Sequence, residues 1–182
     1  MKKIPGYDEA RPAYGVHPRL PLANYICTIV DVEAHTSKQG NPCLKIAFDI
    51  VEGDCAGFYT EQYKSDKKRD ENAMWPYAGI YYVNVDSDST KYFKGFIYCL
   101  EKSNPGFKWN WDERALKRLR FAGLFTEETG VGQDGRSFTS TRLSYVYPVD
   151  EISTMPAAYV KKPRSTNPLK NTSSEIPEPI PF

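Results

Sequence analysis

Between residues 59 and 75 the chain sets three large rings, Tyr59, Tyr63 and Trp75, beside four cations, Lys64, Lys67, Lys68 and Arg69. Flat rings stack on bases and cations track phosphates. Together these are the two requirements for gripping an unpaired nucleic-acid strand, and each stacked base is worth about 1–3 kcal/mol. Alternation over Phe58–Tyr63 predicts a strand, on which Tyr59 and Tyr63 share one face and Phe58, Thr60 and Gln62 the other. Further candidate cations are Lys38 in an early loop, Lys45 on the polar side of a strand, and Arg136 and Arg142 at the last strand. Trp75 and Tyr77 fall in a loop, where large rings are costly to expose without purpose. The same residues have a plainer reading. Asp66, Asp70 and Glu71 interrupt the cationic run, as in any solvated segment, and strand tyrosines often only cover a sheet. Trp109 and Trp111 read as structural packing.

Other chemistries lack their parts. Cys27, Cys43, Cys55 and Cys99 include no Cys-x-x-Cys pair, and His17 and His35 are the only histidines, a poor zinc set. No metal and no cofactor is expected, and the thiols read as free in a reducing compartment. Gly130-Val131-Gly132-Gln133-Asp134-Gly135 matches G-x-G-x-x-G. A dinucleotide fingerprint must open a helix, however, and here a Ser/Thr/Tyr-rich strand follows. The acids Asp49, Glu52, Asp86, Asp88 and Glu101 fit no metal spacing, and no nucleophile and base are paired. Asp86-Ser87-Asp88-Ser89 reads as a turn and helix cap. A net charge of +1 gives no global field, so any nucleic-acid contact must come from a local patch.

These residues need a scaffold, and the periodicity supplies one. Residues 1–22, with Pro5, Pro12, Pro18 and Pro21, read as an extended arm. Alternation from Tyr25 to Ala34 and from Cys43 to Glu52 predicts two strands across a turn-rich loop. Phe58–Tyr63 is the expected third strand, residues 64–72 a solvated loop, and Ile80–Val85 a further short strand. Phe93, Phe96, Ile97 and Leu100 recur at helical spacing over 90–102, and Asn104-Pro105-Gly106 stops that helix. A short helix at Asp112–Lys117 and strands at Leu119–Thr126 and Ser137–Val149 complete the domain. This order predicts a mainly β fold: a five-stranded OB-fold Greek-key barrel over residues 23–150, with a helix between strands 3 and 4. A small β-sandwich with one packed helix is the alternative. Residues 151–182 read as a flexible tail, disordered from 160 onward.

That tail ends Glu175-Ile176-Pro177-Glu178-Pro179-Ile180-Pro181-Phe182. An apolar tip behind acidic, Pro-rich residues resembles the tails of bacterial single-stranded DNA-binding proteins, although those carry a denser Asp run. The resemblance implies that Ile180, Pro181 and Phe182 dock on replication or recombination proteins. Leu20-Pro21-Leu22-Ala23-Asn24-Tyr25, the stretch from Ser37 to Ile46, Glu101–Phe107 and Leu119–Phe125 carry a second resemblance. Over residues 20–150 the chain is similar to an uncharacterised family from phage and prophage replication modules, itself resembling single-strand binders. This implies a non-enzymatic protein in the cytoplasm of a bacterial host, with single-stranded DNA as partner. No signal peptide or membrane-spanning segment is expected. A homo-oligomer is compatible with the reading. The competing classes are a Mg-dependent nuclease or recombination enzyme, and an interaction adaptor without nucleic-acid affinity.

Overall fold

The computed structural model describes residues 18–131, 135 and 137–161. Strand β1 (Tyr25–Thr36) turns back into β2 (Pro42–Ile50), with Gly40 supplying the positive φ of 85° at the turn. A bulge between Ile29 and Asp31 switches the inward set of β1 from Cys27 and Ile29 to Val32. The switch turns Asp31 and Glu33 outward. After α1 (Phe58–Arg69), β3 (Ile80–Asn84) pairs with β2. Helix α2 (Thr90–Ser103) then carries the chain across to β4 (Arg120–Val131), which lies on the other side of β1 and pairs with β5 (Ser137–Tyr147). The sheet order is β3-β2-β1-β4-β5, antiparallel throughout. The two-residue β6 (Tyr159–Val160) adds in parallel to β4, covering an edge that β1 leaves open.

Alternation fills one core. Ile46, Phe48 and Ile50 of β2 meet Phe121 and Phe125 of β4, with the Phe48 ring 6.0 Å from each phenylalanine ring. Phe96, Ile97 and Leu100 of α2 close it from below, as their spacing predicts. A smaller cluster of Ala122, Leu124 and Met155 lies apart from it. All four cysteines are free.

Four expectations need correction. First, Phe58–Tyr63 is not a strand but the start of α1, and the charged stretch after it is helical through Arg69. The cause lies outside the segment. The buried carboxylate of Asp49, on β2, accepts the backbone N–H of Tyr59 at 2.9 Å and of Thr60 at 3.0 Å. It also accepts its own neighbour Ile50 N–H at 2.8 Å. A charge on the sheet thus caps a helix ten residues later. Second, Tyr59 is 1% exposed, sealed against Phe48 with ring centroids 5.5 Å apart, and stacks on nothing outside.

Third, the sheet does not close. β3 and β5 are its outer strands and share no ladder among the described residues. Helix α2 lies against both, and Tyr81 and Tyr145 occupy the seam between them. Fourth, the fold reaches past both expected boundaries. Leu20 is buried in the core, and Arg19 pairs with Glu127 at 3.1 Å. Met155 is buried and β6 pairs with β4, so residues up to 161 belong to the packed domain. The rest of the expected arm and tail lies outside the described residues. No helix among the described residues is long and apolar enough to cross a membrane.

Candidate nucleic-acid interface

The outer face of β1, β2 and β3 carries the side chains that alternation turns away from the core. The registers align Glu33, Lys45 and Tyr82 in one row, and Asp31, Ala47 and Ile80 in the next. Over the second row stand Tyr63 from α1 and Met74 and Trp75 from the segment that follows it. They enclose a groove of about 290 Å³ with Val30, Ala47 and Ile80. The Tyr63 and Trp75 rings are 5.4 Å apart and inclined at 47°. Lys67, one helical turn beyond Tyr63, holds its ammonium 5.6 Å from that ring. At the other end of the face His35 and Tyr82 are 5.8 Å apart.

Trp75 is held rather than loose. Its indole N–H donates to the Gly79 carbonyl at 3.1 Å. A Cβ on Gly79 would come within 2.7 Å of Trp75 Nε1 and 2.9 Å of the Tyr59 ring. Gly79 is therefore the only residue type that lets both rings close at once. Gly79→Ala is expected to displace Trp75 without removing a ring, and, if the groove holds an unpaired strand, to weaken its hold about 5-fold, given what one stacked base contributes. Equal oligonucleotide affinity of variant and parent would show that Trp75 takes no part.

The electrostatics of this groove are mixed. Lys45 bonds Glu33 at 2.6 Å, and this bond raises the lysine's affinity for its proton. Lys117 bonds Asp31 at 2.6 Å and holds that carboxyl below the usual carboxylate range. Each carboxylate is thus matched by one ammonium, and the floor is close to neutral. Positive charge sits on the framing elements. Lys38 is exposed at the turn between β1 and β2, and Lys64, Lys67, Lys68 and Arg69 are exposed along α1. Lys64 pairs with Glu61 at 2.9 Å and Arg69 pairs with Asp66. Exposed pairs of this kind are worth little and exchange readily for phosphate.

The structure therefore brings Lys45, Tyr63, Lys67 and Trp75 together, with Lys38, Lys64, Lys68 and Arg69 on the surrounding elements. It removes Tyr59. Arg142 does not line the groove, for its guanidinium lies 4.2 Å over the Tyr77 ring and ties β5 to the turn before β3. Arg136, Ile180, Pro181 and Phe182 lie outside the described residues.

Sequence reasoning missed a second ring surface. A cleft of about 480 Å³ runs between β3, β5 and α2. Tyr92 (68% exposed), Tyr98 (58%) and Tyr145 (56%) line it together with Lys91, whose ammonium is 4.9 Å from the Tyr92 ring. Tyr82 belongs to this cleft and also reaches His35, so the two ring surfaces are continuous. Tyr92 and Tyr98 fall off the apolar stripe of α2, and that was the available signal: a large ring on a helix's wet side. Trp111 also departs from its expected packing role, being 81% exposed.

Two of the acids considered for a magnesium site are engaged elsewhere. Asp49 caps α1, and Glu52 pairs with Arg120. No group of three His, Cys, Asp or Glu side chains among the described residues is placed to hold a metal ion. No protein-family model and no curated protein matches the chain, so the geometry of these surfaces carries the functional reading.

Proposed function

We propose that the protein is a non-enzymatic binder of single-stranded DNA, acting beside the replication or recombination machinery of a phage or prophage in a bacterial cytoplasm. The observation that carries this reading is the Tyr63–Trp75 pair beside Lys45 and Lys67 on the outer face of β2 and β3. The order β3-β2-β1-β4-β5, with a helix between β3 and β4, supports an OB-type barrel left open between β3 and β5. Such barrels are partly open and bind oligonucleotides across strands 2 and 3. Bases stack on the rings while the backbone passes the lysines of α1 and of the first turn.

Because Asp31 and Glu33 keep the groove floor neutral, stacking supplies more of the affinity than charge does. If Lys38, Lys64, Lys67 and Lys68 each meet one phosphate, log affinity falls with log salt at a slope of about −3, at 0.7 per phosphate. A slope near zero, or no binding at low salt, contradicts the reading. The Ile180-Pro181-Phe182 tip is assigned to partner recruitment. Removing residues 175–182 is accordingly expected to leave oligonucleotide affinity unchanged, and a loss of affinity would reassign the tip to DNA contact.

One observation favours a second reading, an adaptor without nucleic-acid affinity: two carboxylates, Asp31 and Glu33, stand inside the groove. The same titration separates the two, since an adaptor gives no oligonucleotide signal at any salt.

A further inference from the structure

Beyond α2 the segment Trp109-Asn110-Trp111-Asp112 makes a tight, self-bonded turn. The Asn110 side-chain oxygen accepts the Asp112 N–H at 3.2 Å, and the Asp112 carboxylate accepts the Arg114 N–H at 3.0 Å. Trp111 at its centre has a φ of 67°, in the left-handed region that favours glycine. A bulky residue held there while 81% exposed costs stability twice, in backbone strain and in ring hydration. Core packing does not account for it.

The ring does have company. Phe93 and Trp111 face each other at 6.3 Å between centroids and 32° between planes. Trp109 stands across both, 5.9 Å and 76° from Phe93, and 6.0 Å and 55° from Trp111. The arrangement is two walls and a crossing floor. The three rings line a pocket of about 310 Å³, completed by the apolar Leu44 and Val85, by Thr90 and by two carboxylates, Asp86 and Glu113. No lysine or arginine lines it. Asp86 spends one oxygen on the Ser89 N–H at 2.7 Å. Glu113 takes no hydrogen bond or ion pair among the described residues.

We propose that this pocket receives an arginine side chain presented by a basic segment of a partner protein. Ring faces attract cations, and acids at the rim add to that attraction. A guanidinium is flat and stacks between two walls, whereas an ammonium is a hydrated point charge that does not. The Phe93 and Trp111 centroids, 6.3 Å apart, are closer than the two contacts of about 3.5 Å that a stacked guanidinium needs, so binding requires Trp111, the exposed wall, to move outward. A nucleic-acid strand fits less well, because its phosphates would pass the two carboxylates. The inference does not rest on the single-strand reading, since this pocket shares no residue with the β1–β3 groove.

The full chain can be titrated with short peptides while the three indole N–H resonances are followed by NMR, each assigned by substitution. An arginine-containing peptide is expected to move the Trp109 and Trp111 signals saturably and to leave Trp75 still. Trp111→Ala and Glu113→Gln should each weaken binding about 3- to 30-fold, within the range of a cation over aromatic rings. An unmoved Trp75 signal in each variant confirms that it folds. A lysine peptide should bind several-fold more weakly, and a citrulline peptide, neutral but of the same shape, should not saturate. Equal binding of the citrulline peptide overturns the charge assignment, and equal binding of the lysine peptide overturns the guanidinium. Movement of Trp109 and Trp111 by an oligonucleotide instead makes the pocket a base slot and overturns the proposal, as does the absence of any saturable shift.

Discussion

Replacing Tyr63 and Trp75 together with alanine is expected to lower affinity for a single-stranded oligonucleotide by about 100-fold. Each ring contributes roughly 1–3 kcal/mol of stacking, and 1.4 kcal/mol is a factor of ten. The two touch at 5.4 Å, so their effects are not expected to add in full. The Lys67 ammonium loses its ring at the same time, and with incomplete additivity a loss of about 100-fold, or about 2.8 kcal/mol, falls in the lower half of the roughly 2–6 kcal/mol that two independent stacks would give. Fluorescence anisotropy of a labelled oligonucleotide measures the change. The salt slope should stay as it was, since no phosphate contact has been removed. Unchanged affinity at an unchanged slope would mean that the rings take no part and the lysines alone bind.

The second large effect concerns the scaffold. Asp49→Ala is expected to destabilise the fold by about 3 kcal/mol, because three backbone N–H groups lose a charged acceptor inside the protein. Asp49→Asn keeps one acceptor oxygen and should cost about half as much. Urea unfolding reads both as a lower midpoint at unchanged slope. The consequence reaches the groove. Asp49 fixes the first turn of α1, and Tyr63 sits one turn further along the same helix. The variants should therefore bind DNA more weakly even where they remain folded. Stability equal to the parent's would mean that water replaces the carboxylate and that the cap does not hold the helix.

Much of the fold could be read from single residues. The alternation of β2, the apolar stripe Phe93-Phe96-Ile97-Leu100 and the stop at Asn104-Pro105-Gly106 are local signals, and local structure obeyed them. The segment from Phe58 to Tyr63 failed for a specific reason. Its ring spacing suits a strand face and, at i and i+4, a helix face equally well. The deciding contact comes from Asp49, which no window over residues 58–69 contains. The β1 bulge is likewise invisible locally, since plain alternation sets Asp31 and Glu33 on the face of Cys27 and Ile29, and only pairing with β2 shows the switch.

The site was legible as composition and illegible as arrangement. Lys45, Tyr63, Lys67 and Trp75 converge as their types suggest. Tyr59, of the same type and one helical turn before Tyr63, is core, because the first turn of α1 packs on Phe48 while the next turn reaches the groove beside Trp75. The tyrosine cleft was signalled only by Tyr92 and Tyr98 on the wet side of α2, and its other walls, from β3 and β5, come together only in the folded chain.

The central claim is that the β1–β3 face grips unpaired nucleotides by their bases. It is tested most directly by titrating the intact chain against an oligothymidylate of about 40 bases, several times one barrel's site, and against a duplex of equal length. The account predicts saturable binding to the single strand, quenching of Trp75 fluorescence, and at least a ten-fold weaker grip on the duplex, whose bases are already stacked. Equal affinity for both, or no binding to either at low salt, would contradict it.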